Sequence, residues 1–267
     1  MDTSTSLYRY TPDGQMQPIT DTSARLLVAD SFLVNNGMAR APELHARRFT
    51  ASCQSLANID AGLLTRFWPL AMRHIPAKGQ WFPRLELVGS RKQSFLQIRI
   101  RPAPERQNTA RLIHCDTRDN RRHPRHKGPD ILQLTAQRKN ISKKGADEGI
   151  LCTPSRYLLE GFFSSILWWE KNTLCQTPLS KRILPSITSA LIMQIAASHG
   201  IATATRFRHL HELNGCETWV VNALHGIRRA INWPLAPWQV STHTDHVDWQ
   251  QALDQYALRP IHQLPIT

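Results

Sequence analysis

Four groupings in the 267-residue sequence combine residue types able to do chemistry. His123 and His126, with His114 and Cys115 upstream, have the side chains of a metal site. No helix is indicated there and the carboxylate of a hydrolytic zinc motif is missing, so no metal is expected. Lys127 is one of only eight lysines among 33 basic residues, and it precedes the turn-forming Gly128-Pro129. It is either a solvated linker side chain or a nucleophile held at a domain junction. Glu160 closes the apolar run Tyr157-Leu158-Leu159, where an unpaired carboxylate is costly to bury. Finally, Ser186-Ile187-Thr188 opens a helical run that ends near His199. Its free N–H groups and the Thr188 hydroxyl suit a phosphate, and Ser186 serves equally well as a plain N-cap.

Other chemistries lack a starting residue. G-x-S-x-G, Walker A and G-x-G-x-x-G are all absent from the sequence. The five cysteines (Cys53, Cys115, Cys152, Cys175, Cys216) are scattered, odd in number and never in a C-x-x-C pair, which argues against a disulfide framework and excludes a zinc ribbon. The net charge of +13 calls for an anionic partner of some kind. The basic run 118–127 has no interleaved aromatic residues for base stacking, so cations lining a small-molecule site, or a solvated linker, are favoured over nucleic acid. No run of about eighteen apolar residues spans a membrane, and the first residues do not read as a secretory signal. A cytoplasmic protein is expected.

These residues need a frame. Residues 7–19 read as a hairpin about Thr11-Pro12-Asp13-Gly14, and 25–34 as a buried strand turning at Asn35-Asn36-Gly37. Helical spacing covers 41–56 and 60–74, followed by strands at 84–88 and 95–100. The expected domains are an N-terminal α/β domain over 1–114, a linker over 115–127 and a C-terminal domain over 128–267. In the last, a helix from Pro129-Asp130 closes at Gly145, strands cover 149–152, 157–160, 164–169 and 173–177, and a helix covers 186–199. The remainder reads as mixed strand and loop.

The order of motifs resembles the class IV aminotransferases, the fold-type IV enzymes that use pyridoxal 5'-phosphate. Arg125-His-Lys-Gly-Pro-Asp130 precedes a helix, then come Gly145-Ala-Asp-Glu-Gly-Ile-Leu151, Tyr157-Leu-Leu-Glu-Gly-Phe-Phe-Ser-Ser165 and Leu184-Pro-Ser-Ile-Thr188. The family pattern is lysine, helix, G-A-D-E-x-x-L-L, E-G-x-x-S-N and L-P-G-[IV]-T. Upstream, His45-Ala-Arg-Arg-Phe49 is similar to H-L-x-R-L. The resemblance implies a two-domain α/β (α+β) fold, with a small N-terminal domain, a larger C-terminal domain with a barrel-like sheet, and the cofactor at their junction. It implies a homodimer acting on a small amino or carboxylate substrate. Lys127 would hold the cofactor covalently and move protons, while Glu160 would pair with its ring nitrogen. Arg48, Ser186, Ile187, Thr188 and Ala223 would contact it elsewhere, Arg48 on the phosphate. Arg99, Arg101 and Asn222 are candidate substrate contacts.

Several positions depart from the pattern. Ser186 stands for glycine, Ser164-Ser165 for serine-asparagine, Leu132 for a tyrosine of the branched-chain branch, and Ala223 for a threonine of the transaminases. Asn222-Ala223-Leu224 and Leu132 are similar to aminodeoxychorismate lyase instead, whereas Val34 falls where that lyase keeps a threonine. The resemblance therefore implies a lyase releasing 4-aminobenzoate and pyruvate, with an amino-acid aminotransferase, branched-chain or D-amino-acid type, as the alternative. A basic nucleic-acid-binding module is a remote third.

Overall fold

The structure is a computed structural model and describes residues 5–20, 23–90, 93–114, 118–233 and 246–263. Cys115 lies outside the described residues. The chain forms two compact units. One comprises Met1–Glu105, His126–Pro129 and Ala257–Thr267, and the other Arg106–Arg125 and Asp130–Tyr256. This differs from the sequence division at 114 and 127, which could not see two returns of the chain to the first unit.

The first unit begins with β1 (Ser6–Tyr10) and β2 (Met16–Pro18), joined by the expected turn. The expected strand over 25–34 is broken: β3 (Leu26–Ser31) stops, and β4 (Val34–Asn35) with β5 (Met38–Arg40) starts another sheet. Helices α1 (Pro42–Ala57) and α2 (Ala61–Arg73) follow. Pro42 begins α1, where its missing N–H costs nothing, and Asp60 caps α2 by accepting from the Leu63 N–H at 2.9 Å. Strands β6 (Gln80–Trp81), β7 (Arg84–Gly89) and β8 (Ser94–Ile100) complete this stretch. An antiparallel sheet in the order β2-β1-β8-β7-β3 results. Val28, Leu85, Leu87 and Ile98 from its strands are buried, as are Phe67 and Met72 of α2.

The second unit contains β9 (Thr109–Ala110), β10 (Leu112–His114), α3 (Ile131–Ser142), β11 (Glu148–Cys152) and β12 (Leu158–Gly161). It continues through β13 (Ser165–Glu170), β14 (Thr173–Gln176), α4 (Ile187–Ser198), β15 (Ala202–Thr205), β16 (Thr218–Asn222), β17 (Gly226–Ala230) and α5 (His246–Gln255). The six-stranded sheet runs β15-β14-β13-β16-β17-β9, and a second sheet runs β10-β11-β12. Ile150, Leu158, Ile166, Trp168 and Val220 form one continuous core. Helix α5 corrects the reading of the C-terminal remainder as strand and loop. The last strand, β18 (Leu258–Pro260), returns to the first unit and pairs with β5. Among the described residues no helix is long and apolar enough to cross a membrane.

Candidate active site

In the first unit, Lys127 is held by its backbone. Its carbonyl accepts the Ala29 N–H of β3 at 2.8 Å. The next residue lies so close to that strand that a Cβ on Gly128 would stand 2.6 Å from the Ala29 nitrogen and the Val28 Cα. Gly128 also has φ +130°, so a side chain is excluded both by space and by backbone angle. The Gly-Pro after the lysine therefore fixes where the lysine starts. Burial pushes the Lys127 ammonium down to about 8, helped by Arg48, Arg101 and Arg84 and opposed by Asp30. Among the described residues no hydrogen bond is made by its nitrogen. An amine that is partly neutral near neutral pH is suited to attack a carbonyl or take a proton.

Arg48 lies on α1, one turn beyond His45, so both side chains share a helix face. They meet Asp30 of β3, which is fully buried. The Arg48 Nε donates to Asp30 Oδ2 at 2.7 Å and its Nη2 to Oδ1 at 2.9 Å, while His45 Nδ1 is 2.7 Å from Oδ1. Burial raises the Asp30 carboxyl, but Arg48 and His45 outweigh it and hold it well below the ordinary range. Asp30 escaped the sequence reading. Its signal was an acid inside the apolar run Leu26-Leu27-Val28-Ala29, the same signal that marked Glu160.

Asp30→Asn is expected to destabilise the protein by about 2 kcal/mol or more, because Arg48 and His45 lose the buried charge they both bind. Since the folded carboxyl sits below its unfolded value, this stabilisation is present above about pH 4 and fades as pH falls. Urea unfolding at pH 7 and pH 3 measures both. Equal wild-type and variant midpoints at pH 7 would contradict the assignment.

Three further arginines of this unit are engaged. Glu86 accepts Arg84 Nε at 2.6 Å, Arg99 Nε at 3.0 Å and Gln97 Nε2 at 2.5 Å. Arg101 donates from Nε to the Phe82 carbonyl and lies over that ring, and burial beside Arg84 and Arg99 lowers it to about 10. His126 turns its Nδ1 to the Ser52 hydroxyl at 3.0 Å.

In the second unit, Glu160 is 4% exposed on β12. Its Oε1 takes an ion pair from Arg121 Nη1 and the Leu184 N–H at 3.0 Å. Among the described residues, none donates to Oε2. Burial raises this carboxyl to about 7, against the opposing pull of Arg121. Within the run 118–127, Arg121 is neither solvated nor a free cation lining a site: it is buried and bound within the protein. Arg125 likewise donates to the Leu179 carbonyl.

Ser186 accepts the Ser189 N–H at 3.2 Å, so its hydroxyl acts as an N-cap. The N–H groups of Ile187 and Thr188 lie in the first turn and have no intrahelical acceptor by position. Asn222 is committed at both ends of its amide: Nδ2 donates to Ser164 Oγ at 3.0 Å, and Oδ1 accepts from Leu224 at 3.1 Å and His225 at 2.9 Å. Ala223 lies inside the loop so closed. Ser164 also donates to Glu148 Oε2 at 2.6 Å, and Glu148 pairs with the buried Arg228 at 3.2 Å.

The structure thus groups Lys127, Arg48, Arg99 and Arg101 in one unit, and Glu160, Ser186, Ile187, Thr188, Asn222 and Ala223 in the other. The family model for amino-transferase class IV matches residues 27–233, most of the chain and all of these positions. The chain belongs to the class IV aminotransferases. This is a pyridoxal-phosphate-dependent enzyme family. No curated protein matches the chain.

Solved structures of the family agree in fold. A branched-chain aminotransferase from Thermoproteus uzoniensis, solved with norvaline, is 16% identical with a TM-score of 0.81, covering 96% of this chain and 99% of that one. "A hypothetical aminotransferase from Mycobacterium tuberculosis" in its PLP-bound form is 17% identical with a TM-score of 0.76, covering 94% and 98%. A "Putative 4-amino-4-deoxychorismate lyase" from Legionella pneumophila is 17% identical with a TM-score of 0.73, covering 89% and 94%. At these identities the likeness fixes the fold as fold-type IV and leaves the reaction open. The donor set fits the family cofactor in two respects: among the described residues nothing hydrogen-bonds the Lys127 amine, and nothing donates to one buried carboxylate oxygen of Glu160, which is left for an N–H.

Proposed function

We propose that this class IV aminotransferase is a lyase that converts aminodeoxychorismate to 4-aminobenzoate and pyruvate, with Lys127 as its proton-transfer base. Lys127 holds the cofactor covalently until substrate arrives, and Glu160 pairs with the ring nitrogen. Arg48 and the Ile187 and Thr188 N–H groups bind the phosphate dianion, with Ser186 ordering that helix start. Bound pyridoxal phosphate supplies the electron sink that lets a proton leave the amine-bearing substrate carbon. Lys127, as free amine, takes that proton; the C–O bond to the enolpyruvyl group then breaks, and the ring becomes aromatic. The departing enolpyruvyl oxygen leaves with the bond electrons, and protonation yields pyruvate.

The observation that carries the lyase reading is the closed loop at Asn222. A transaminase uses the corresponding loop for substrate carboxylates in both half-reactions, but here the Leu224 and His225 N–H groups are turned onto the Asn222 side chain. Charge agrees in sign. Arg48, Arg84 and Arg101 all press on Lys127, a cationic surrounding suited to a dicarboxylate. Arg99 holds Glu86 beside Arg84.

The test is to incubate the cofactor-loaded protein with aminodeoxychorismate alone. 4-Aminobenzoate and pyruvate are expected in equal amounts without any 2-oxo acid. Turnover that requires an amino acid together with a 2-oxo acid, in ping-pong fashion, would instead make the protein an aminotransferase.

A further inference from the structure

Arg121 sits in a run of cations that sequence alone makes look solvent-exposed, yet its side chain is 5% exposed. It is fixed on every side. Nε donates to Asp119 Oδ1 at 2.9 Å, and Nη2 to Asp119 Oδ2 at 3.1 Å and to the Arg182 carbonyl at 2.8 Å. Nη1 makes the ion pair with Glu160 Oε1. Four of the five guanidinium hydrogens are thus used, and the planar fork leaves no freedom to swing. Arg182 closes the clamp from outside, reaching the Arg121 carbonyl at 2.5 Å and Asp119 at 3.4 Å, with half its side chain in solvent.

Two consequences follow for Glu160. Both donors to the carboxylate, Arg121 and the Leu184 N–H, fall on the same oxygen, so the group cannot rotate without breaking both. Oε2 is left as the acceptor. The buried set of Asp119, Arg121 and Glu160 also carries a net charge of −1. A net buried charge is expensive unless one further cation joins it. A protonated pyridine ring is such a cation, and it brings the N–H that Oε2 lacks.

We infer that Arg121 is a positioning residue for the cofactor: by clamping Oε1 it keeps Glu160 ionised and presents Oε2, and so keeps the ring nitrogen protonated. This rests on the assignment of Glu160 as the ring partner, and the charges that face Glu160 are Arg121, Asp119 and, through Asp119, Arg182. Without Arg121 the desolvated carboxyl takes up a proton itself and no longer supports a pyridinium.

The experiment is a pH titration of the full-length protein loaded with ¹⁵N-labelled pyridoxal phosphate, reading the ring-nitrogen chemical shift by NMR. In wild type the pyridinium signal is expected at pH 7.5. In Arg121→Met the midpoint of ring protonation is expected to fall by about one pH unit or more, the scale of losing an adjacent charge. Arg121→Lys, which keeps the charge, should recover most of that shift. A merely structural ion pair would lower the melting temperature without moving this midpoint. If Arg121→Met does not fold, Asp119→Asn unlocks the guanidinium and is expected to move the midpoint in the same direction by less. A midpoint equal to wild type in whichever of these variants folds overturns the inference. Glu160→Gln distinguishes the two failures: if it too retains the pyridinium, the assignment of Glu160 is what falls.

Discussion

Lys127→Ala is expected to lower turnover by ~10³-fold or more, since it removes the amine proposed both to anchor the cofactor and to move the proton. The protein should remain folded, because the anchoring contacts at this position are the Lys127 carbonyl and the close approach of Gly128, which alanine keeps. The visible absorption of bound cofactor should disappear with the activity. A pH dependence separates this lysine from a bystander. With its ammonium lowered to about 8, roughly a quarter of the side chains are neutral at pH 7.5, against about one in a thousand for an ordinary lysine. Covalent capture of pyridoxal phosphate by cofactor-free protein should therefore rise with pH about a midpoint near 8. Capture that keeps rising toward pH 10, or survives in the alanine variant, would assign the chemistry to another lysine.

Glu160→Gln is expected to cut kcat by about two or more orders of magnitude while cofactor stays bound, the scale of lost electrostatic stabilisation in a desolvated site. The geometry gives the reason. Arg121 and the Leu184 N–H demand an acceptor at Oε1, so the amide must place its oxygen there and its NH₂ at the Oε2 position. A donor then faces the ring nitrogen, which must act as acceptor and shed its proton. The electron sink weakens without any change of shape. Steady-state kinetics at saturating cofactor measure this, and a kcat within threefold of wild type would contradict the role.

The sequence was legible wherever a local pattern decides the outcome. An apolar run located the strand that carries Glu160, and the N-cap at Ser186 located the start of α4, whereas the strand that ends at Asn222 falls within the mixed remainder. Motif order singled out Lys127, Arg48 and Glu160 as candidates. Legibility ended where the deciding partner is distant in sequence. Arg121 looked like one more cation of a linker because its burial depends on Asp119, Glu160 and the Arg182 carbonyl. Lys127 reads as the end of that linker, yet a single backbone hydrogen bond to Ala29 returns it to the first unit. Asn222 read as a substrate contact because nothing local reveals that its amide already has Ser164 on one side and two N–H groups on the other. Helix α5 follows residues 234–245, which lie outside the described residues, and its polar sequence gave no clear period.

The most direct test is to reduce the cofactor-loaded protein with borohydride, digest it and locate the modified peptide by mass spectrometry. A phosphopyridoxyl group on Lys127, at one per chain, is the expected result. The same group on Lys92, which lies outside the described residues, on Lys139 or on any other lysine would contradict the assignment of Lys127, and with it the mechanism built on that amine.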